Sequence, residues 1–156
     1  MANLRFRKTH LWLTQGNNPA SQDLRALLVR VGSNVPTTPG ATFLSDFTTL
    51  KEADAGGYSR KTLTGEALTE NAGADRLQFD SSDADFGTLS LGASGEDLAG
   101  FLLFFQLGGG TDAENRPFVY FDSMESGPIF PYSLLVGGGP FKIVAPATGW
   151  VHFLGP

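Results

Sequence analysis

The sequence predicts an all-β fold, a single-domain β-sandwich or jelly-roll-like barrel with at most one short helix. Three observations carry this expectation. The 156 residues include 20 glycines, 9 prolines and 13 phenylalanines but only 17% charged residues, and turn formers mixed with aromatics suit short strands better than a helical bundle. Roughly eight apolar stretches recur between turn signals, the spacing of a sandwich. One hairpin, Leu98–Ser123, is strong enough to anchor a core: LAGFLLFFQ, then LGGGTDAENRP, then FVYFDS.

In the first strand of that hairpin Ala99, Phe101, Leu103, Phe105 and Leu107 point one way, and Gly100, Leu102, Phe104 and Gln106 the other. Both faces are apolar, so both are expected to be covered, by two layers of the same domain or by a neighbouring subunit. The partner strand is expected to carry Phe118 and Tyr120 on one face, Val119 and Phe121 on the other. The length suits one domain with a proper core. Within it, residues 1–20 read as an N-terminal arm or edge strand and loop, and 21–156 as the sandwich.

At the N-terminus Leu4, Phe6 and Lys8 alternate with Arg5, Arg7 and Thr9, the pattern of an edge strand with one basic face. Arg5, Arg7 and Lys8 read either as the charge that protects a solvated edge or as an arm reaching an acidic neighbour. The apolar run Leu11–Leu13 is too short for a signal peptide. No stretch approaches the ~20 apolar residues of a membrane span. The expectation is a soluble chain made in the cytoplasm, with no membrane partner.

QGNNPASQD is a loop. DLRALLVRV fits helical spacing at Leu24, Leu27, Leu28 and Val31, with Ser21 as a cap, and also fits strand alternation; the turn-rich GSNVPTTPG that follows favours a strand. FLSDFTTLKEAD suits a helical turn or two with Phe43, Leu44, Phe47 and Leu50 inward. YSRKTLTGEALTE alternates as a strand with Lys61, Leu63 and Gly65 on one face. Asn71-Ala72-Gly73 turns the chain into DRLQFD, with Leu77 and Phe79 inward, and FGTLSLG follows with Phe86, Leu89 and Leu91. The remainder, from SGPIFP to WVHFLGP, supplies two or three closing strands.

Chemistry is sparse. With no cysteine there is no disulfide framework and no thiolate metal site. A net charge of −5 argues against direct binding to nucleic acid or to an anionic membrane. The two histidines are His10 and His152, and His152 in WVHFLGP reads as a packed or rim residue. No nucleophile–base signature occurs, so no catalytic residue and no cofactor is assigned, and an enzyme is not expected. The runs Gly108–Gly110 and Gly137–Gly139 lack the lysine and helix of a phosphate loop and read as hairpin loops, the 108–117 loop being one that a neighbour orders. Asp75, Asp80, Asp83 and Asp85 suit calcium in ligand type but lack the glycine and closing glutamate of an EF-hand. They read as turn-capping aspartates, and no metal is assigned.

Ile129 and Phe130 lie between Pro128 and Pro131, and Tyr132 follows directly. They read equally as an interface patch on a stiffened loop or as a cap on one end of the core. With Arg5, Arg7 and Lys8 they are the candidate interface residues. Trp12, Tyr58, Tyr132 and Trp150 are candidate platforms should the sandwich bind carbohydrate.

The order of motifs carries a resemblance. LRALLVRVGSNVPTT, GGYSRKTLTG, ADRLQFDSSDADF, GFLLFFQ and PFVYFDS succeed one another. The most specific pieces are G-Y-x-x-K-T-L-T-G at 57–65, D-R-x-x-F-D at 75–80 and P-F-V-Y-F-D at 117–122. Over roughly residues 24–154 this resembles a family of small virion structural proteins of tailed bacteriophages, with the N-terminal arm outside the likeness. The resemblance implies a noncatalytic β-sandwich built into the particle. The expected role is capsid decoration (cement) on the virion surface, as a trimer or dimer bound to the major capsid (coat) protein. A neck, tail or fibre-associated subunit is the alternative within the same class.

Overall fold

The computed structural model describes residues 3–74, 76–95, 97–123 and 128–154. Ten short strands and one helix are found among the described residues. In chain order they are β1 (Asn3–Arg5), α1 (Arg7–Thr14), β2 (Asp23–Arg30), β3 (Lys61–Thr62), β4 (Ala67–Asn71), β5 (Arg76–Asp80), β6 (Ala84–Leu89), β7 (Leu98–Gln106), β8 (Arg116–Phe121), β9 (Gly139–Ile143) and β10 (Val151–Leu154). The fold is all-β and sandwich-like, as the sequence predicts.

The strand with two apolar faces, β7, lies at the centre of a five-stranded antiparallel sheet ordered β1-β8-β7-β2-β3. Its long partner β2 pairs with it from Asp23↔Gln106 to Arg30↔Leu98, so DLRALLVR is a strand. Three-stranded β10-β5-β4 and two-stranded β6-β9 form the opposing layer. Between the layers lies the main core. Phe101, Leu103 and Phe105 of β7 meet Leu24, Ala26 and Leu28 of β2, Phe79 of β5, Phe86 of β6, Phe141 of β9 and Val151 of β10. Each such side chain, fully buried, contributes roughly 1.5–3 kcal/mol.

The other face of the large sheet is covered by the chain itself. Leu102 and Phe104 of β7, Leu27 and Val29 of β2 and Tyr120 of β8 pack against Val35, Ala41, Leu44 and Phe47 of the 31–50 segment, and against Phe6. This cover holds only short 3-10 turns, including Leu44–Asp46, so its backbone groups need other partners. Asn34 supplies several: its side chain accepts from Thr49 N–H (3.2 Å) and donates to Thr48 Oγ1 (3.2 Å), while its carbonyl accepts from the Thr38 hydroxyl (2.8 Å). Leu44 and Phe47 are inward as expected, whereas Phe43 is half-buried and stacks on Arg116.

Four local expectations are corrected. First, Lys8 is not in a strand: β1 ends at Arg5, paired with Val119, and α1 begins at Arg7. This helix has no side-chain cap and no acidic residue in its first turn, where the dipole would favour one. Packing sustains it: Thr9 is buried, Trp12 lies 5.9 Å from Phe105, and the Arg116 guanidinium is held between the Trp12 and Phe43 rings at 5.3 and 4.9 Å. Second, Phe118 shares the main core with Val119 and Phe121. The β7–β8 register runs Leu103↔Val119 and then Phe104↔Pro117; this bulge at a proline, which has no N–H to donate, sends Phe118 to the opposite face. Third, YSRKTLTGEALTE is two separate strands, β3 and β4. Fourth, Leu77 retains 39% exposure, for a reason given below.

A second bulge, between Asp85 and Thr88 of β6, explains why Phe86 and Leu89 are both buried although three residues apart. Gly87 sits there at φ 71°, a conformation costly to any residue with a Cβ, and its N–H donates to the Asp85 carboxylate at 2.8 Å. The 108–115 loop is fastened by its own chain. The Glu114 carboxylate accepts from Gly109 N–H and the Thr111 hydroxyl, and buried Asn115 bonds Leu107 N–H and the Gly110 carbonyl.

Candidate functional site

The structure separates the two groups of candidate interface residues. Register places Arg5 beside Val119, and Phe6 N–H then donates to the Phe118 carbonyl, so Arg5, Arg7 and Lys8 run toward the Arg116 end of β8. Tyr132 instead forms a two-bond bridge with Leu98 (2.8 and 2.9 Å). Leu98 lies beyond the Phe101↔Phe121 pair, toward the other end of the sheet.

The 128–138 segment resolves the two readings of its apolar residues. Tyr132 packs on Phe141 with ring centroids 5.1 Å apart, Phe130 packs on the main core, and Leu134 is buried. These three are anchors. Ile129 is 85% exposed, and Leu135 and Val136 are 62% and 82% exposed. The backbone at Leu135 is held, because Leu91 N–H donates to the Leu135 carbonyl (2.9 Å) and Gly138 N–H closes a turn onto the same oxygen (3.0 Å). The result is that Leu135 and Val136 are presented on a braced turn, with Ile129 exposed in the same segment. Leu135 and Val136 escape a pattern search because SLLVGGG looks like the start of a strand. The signal was the lack of alternation in an apolar run that ends on three glycines.

A second feature lies at the basic end. Helix α1 and the β10-β5-β4 sheet enclose a cleft of about 490 Å³ lined by Arg5, His10, Leu13, Thr14, Pro19, Leu68, Leu77 and Phe153. Leu77 is on the inner side of β5 with Phe79, but it faces this cleft rather than the core, which is why it keeps its exposure. His10 stacks on Phe153 at 5.6 Å with 25° between the rings. The cleft was not legible in the sequence because it needs a helix the alternation concealed.

A densely bonded polar group lies elsewhere. Arg60 bonds Glu52 at 2.7 Å and Asp112 at 2.6 Å and lies 5.4 Å from the Phe104 ring centroid. Burial pulls the guanidinium toward neutrality, but the two carboxylates outweigh it and hold the charge. The Tyr58 hydroxyl donates to Glu52 Oε1 (2.6 Å) and accepts from Leu28 N–H (3.2 Å). Burial, reinforced by the Glu52 charge, pushes Tyr58 far above its ordinary range. Tyr58 and Arg60 belong to the GYSRKTLTG motif, and their role here is to tie the 51–60 segment to β2 and to the 108–115 loop.

The aspartates act as caps. Asp80 accepts from Ser81 N–H (2.8 Å), Asp83 from Ala145 N–H (2.8 Å), and Asp85 from Gly87 N–H; Asp75 lies outside the described residues. Asp83 also pairs with Lys142 at 2.6 Å, and that hydrogen bond, with the Ala145 N–H, holds its carboxyl below the usual range. No group of three His, Cys, Asp or Glu residues placed to hold a metal occurs among the described residues. His152 is at the rim, with Nε2 2.6 Å from the Thr148 carbonyl. Of the candidate carbohydrate platforms, Trp150 is buried and donates to Ser81 (2.9 Å), while Trp12, Tyr58 and Tyr132 are half-buried and packed. No helix among the described residues is long and apolar enough to cross a membrane.

Comparisons of the chain with protein-family models, curated proteins and solved structures give no match.

Proposed function

We propose that this chain is a noncatalytic structural protein of a tailed-bacteriophage virion, a decoration (cement) protein that binds the outside of the head as a trimer or dimer and bridges coat subunits. The observation that carries this reading is the exposure of Ile129, Leu135 and Val136 within one segment, braced at Leu135, outside a core that is already sealed on both faces of β7. Such a group gains by being covered. The order of sequence motifs points the same way. The mechanism is cohesive: modest contacts repeated by linked subunits add through effective concentration and resist outward pressure on the shell.

The test uses Ile129→Ser/Leu135→Ser/Val136→Ser, all at exposed positions, alongside the unaltered chain. The expected result is a dimer or trimer by light scattering that rebinds particles stripped of this protein and raises their resistance to heat. The triple variant keeps its unfolding midpoint and binds about tenfold or more weakly. A monomer that ignores the shell overturns the reading. Copies located by cryo-microscopy at one vertex, rather than over the shell, assign the chain to the neck or tail instead. At the N-terminus, Arg7→Gln/Lys8→Gln, which leaves buried Phe6 in place, is expected to weaken particle binding while the chain stays folded, and full occupancy by that variant would count against the arm's role.

A further inference from the structure

The cleft between α1 and the three-stranded sheet has a marked internal polarity. Its walls are apolar: Leu13, Pro19, Leu68, Leu77 and Phe153. Arg5 and His10 line the same space, and the 3.6-residue period puts Arg7 one turn ahead of His10 on the same helix face. Ion pairs occupy Arg25, Arg30, Arg60 and Lys142, whereas Arg5, Arg7 and Lys8 have none among the described residues. In a chain of net charge −5, an unpaired basic group beside an apolar cavity is a local reversal of sign. Glu70, opposite Leu77 in the β4–β5 register, is a carboxylate on the same face, across the cleft from the helix. The space is sized for one or two large side chains and within the range of ligand pockets. Leu77, still 39% exposed, leaves it open to a group delivered from outside on a backbone.

We propose that this cleft docks a segment of a partner polypeptide that presents a large apolar side chain with carboxylates beside it. The apolar side chain fills the space among Leu13, Leu68, Leu77 and Phe153. The adjacent Asp or Glu meets Arg5 and Arg7, and the segment lies along the helix side, away from Glu70. Burying the apolar group supplies affinity, and the sign of the charge supplies selectivity and orientation.

The test is an array of short immobilised peptides in three classes: a central Phe or Leu flanked by Asp and Glu, the same centre flanked by Lys, and acidic peptides with a central Ser. It is probed with the full chain and with Arg5→Gln and Leu77→Ser. Arg5 is exposed, so Arg5→Gln keeps the fold, which circular dichroism checks for both variants. The acidic–apolar class is expected to bind about tenfold or more above the others. Arg5→Gln should narrow the preference for acidic over basic flanks, and Leu77→Ser the preference for Phe or Leu over Ser. Equal binding of all classes, or a preference unchanged in Arg5→Gln, overturns the proposal. So does light scattering in which Leu77→Ser dissociates a dimer, since a second copy would then fill the cleft. No virion enters this experiment, so it and the particle-binding test can fail separately.

Discussion

Arg60 and Asp112, 52 residues apart in the chain, are joined by two hydrogen bonds of 2.6 and 3.1 Å, and the same guanidinium binds Glu52 from the other side. One cation thus fastens two loops to the sheet through Phe104. Its removal leaves two carboxylates facing each other without a counter-charge. Arg60→Ala should cost roughly 2–3 kcal/mol in urea unfolding, less than for a fully buried pair because the side chains are partly solvated. Asp112→Asn, at the more exposed partner, should cost below about 1 kcal/mol. Equal costs for the two would mean that the bond to Asp112 alone carries the arginine's contribution, and a cost confined to Arg60→Ala would leave it to Glu52 and to packing on Phe104.

Tyr58→Phe removes one oxygen that both donates to Glu52 and accepts from Leu28 N–H. The strand amide then loses its partner at a place where β3 no longer pairs with β2. A loss of about 1–2 kcal/mol is expected, with faster hydrogen exchange at Leu28 in particular. Unchanged exchange there would show that water replaces the hydroxyl.

Asp83 gives the pH dependence. Its folded pKa is below the ordinary 3.8, so it binds protons less readily in the native chain than in the unfolded one. The stabilisation is therefore present above the unfolded value and is lost as pH falls through the folded value. The unaltered chain should unfold at a higher temperature than Asp83→Asn at neutral pH, and the gap should close below pH 3.8. A gap that persists in acid would assign the effect to shape rather than charge.

Two glycines separate backbone strain from steric overlap. A Cβ at Gly87 meets nothing within 4 Å, but φ is 71°, so Gly87→Ala should cost about 1–2 kcal/mol from conformation alone. A Cβ at Gly100 would overlap the Phe121 carbonyl oxygen and lie 2.6 Å from the Tyr120 hydroxyl. Gly100→Ala should cost about 3 kcal/mol or more. The combination Gly100→Ala/Tyr120→Phe should recover part of that loss; no recovery would place the overlap at the Phe121 carbonyl.

Much of the fold was legible where apolar spacing is regular. β2 and β7 follow directly from DLRALLVR and LAGFLLFFQ, as does the need to cover both faces of β7. What was not legible depended on irregularity or on distance. The alternation of Leu4, Phe6 and Lys8 hides α1, because Leu4 and Phe6 do pack on one core and only the packing of Thr9, Trp12 and Leu13 bends the chain into a helix after them. The face of Phe118 depends on a bulge that no period anticipates. For the candidate interface, Ile129 was readable as exposed only once Phe130 and Tyr132 were seen to be its anchors. The cleft beside Arg5 requires a helix from the start of the chain, two strands from its middle and one from its end.

The two covered faces of β7 have a consequence for how the chain finds its alignment. In a sheet with one wet face, a strand that slides by one residue turns polar groups inward, and that penalty sets the pairing. Here Phe101 and Leu102 are equally at home on either side, so hydrophobicity alone cannot tell the native alignment from its neighbour. Shape must do so. Gly100, with no side chain, lies where the Tyr120 ring and the Phe121 carbonyl close over the strand, and Tyr120 locks the arrangement by donating to the Ala99 carbonyl at 2.9 Å. Slide β7 by one position and either Ala99 or Phe101 must occupy that gap. An absent side chain thereby serves as the notch of a key, admitting one alignment of an otherwise ambiguous strand.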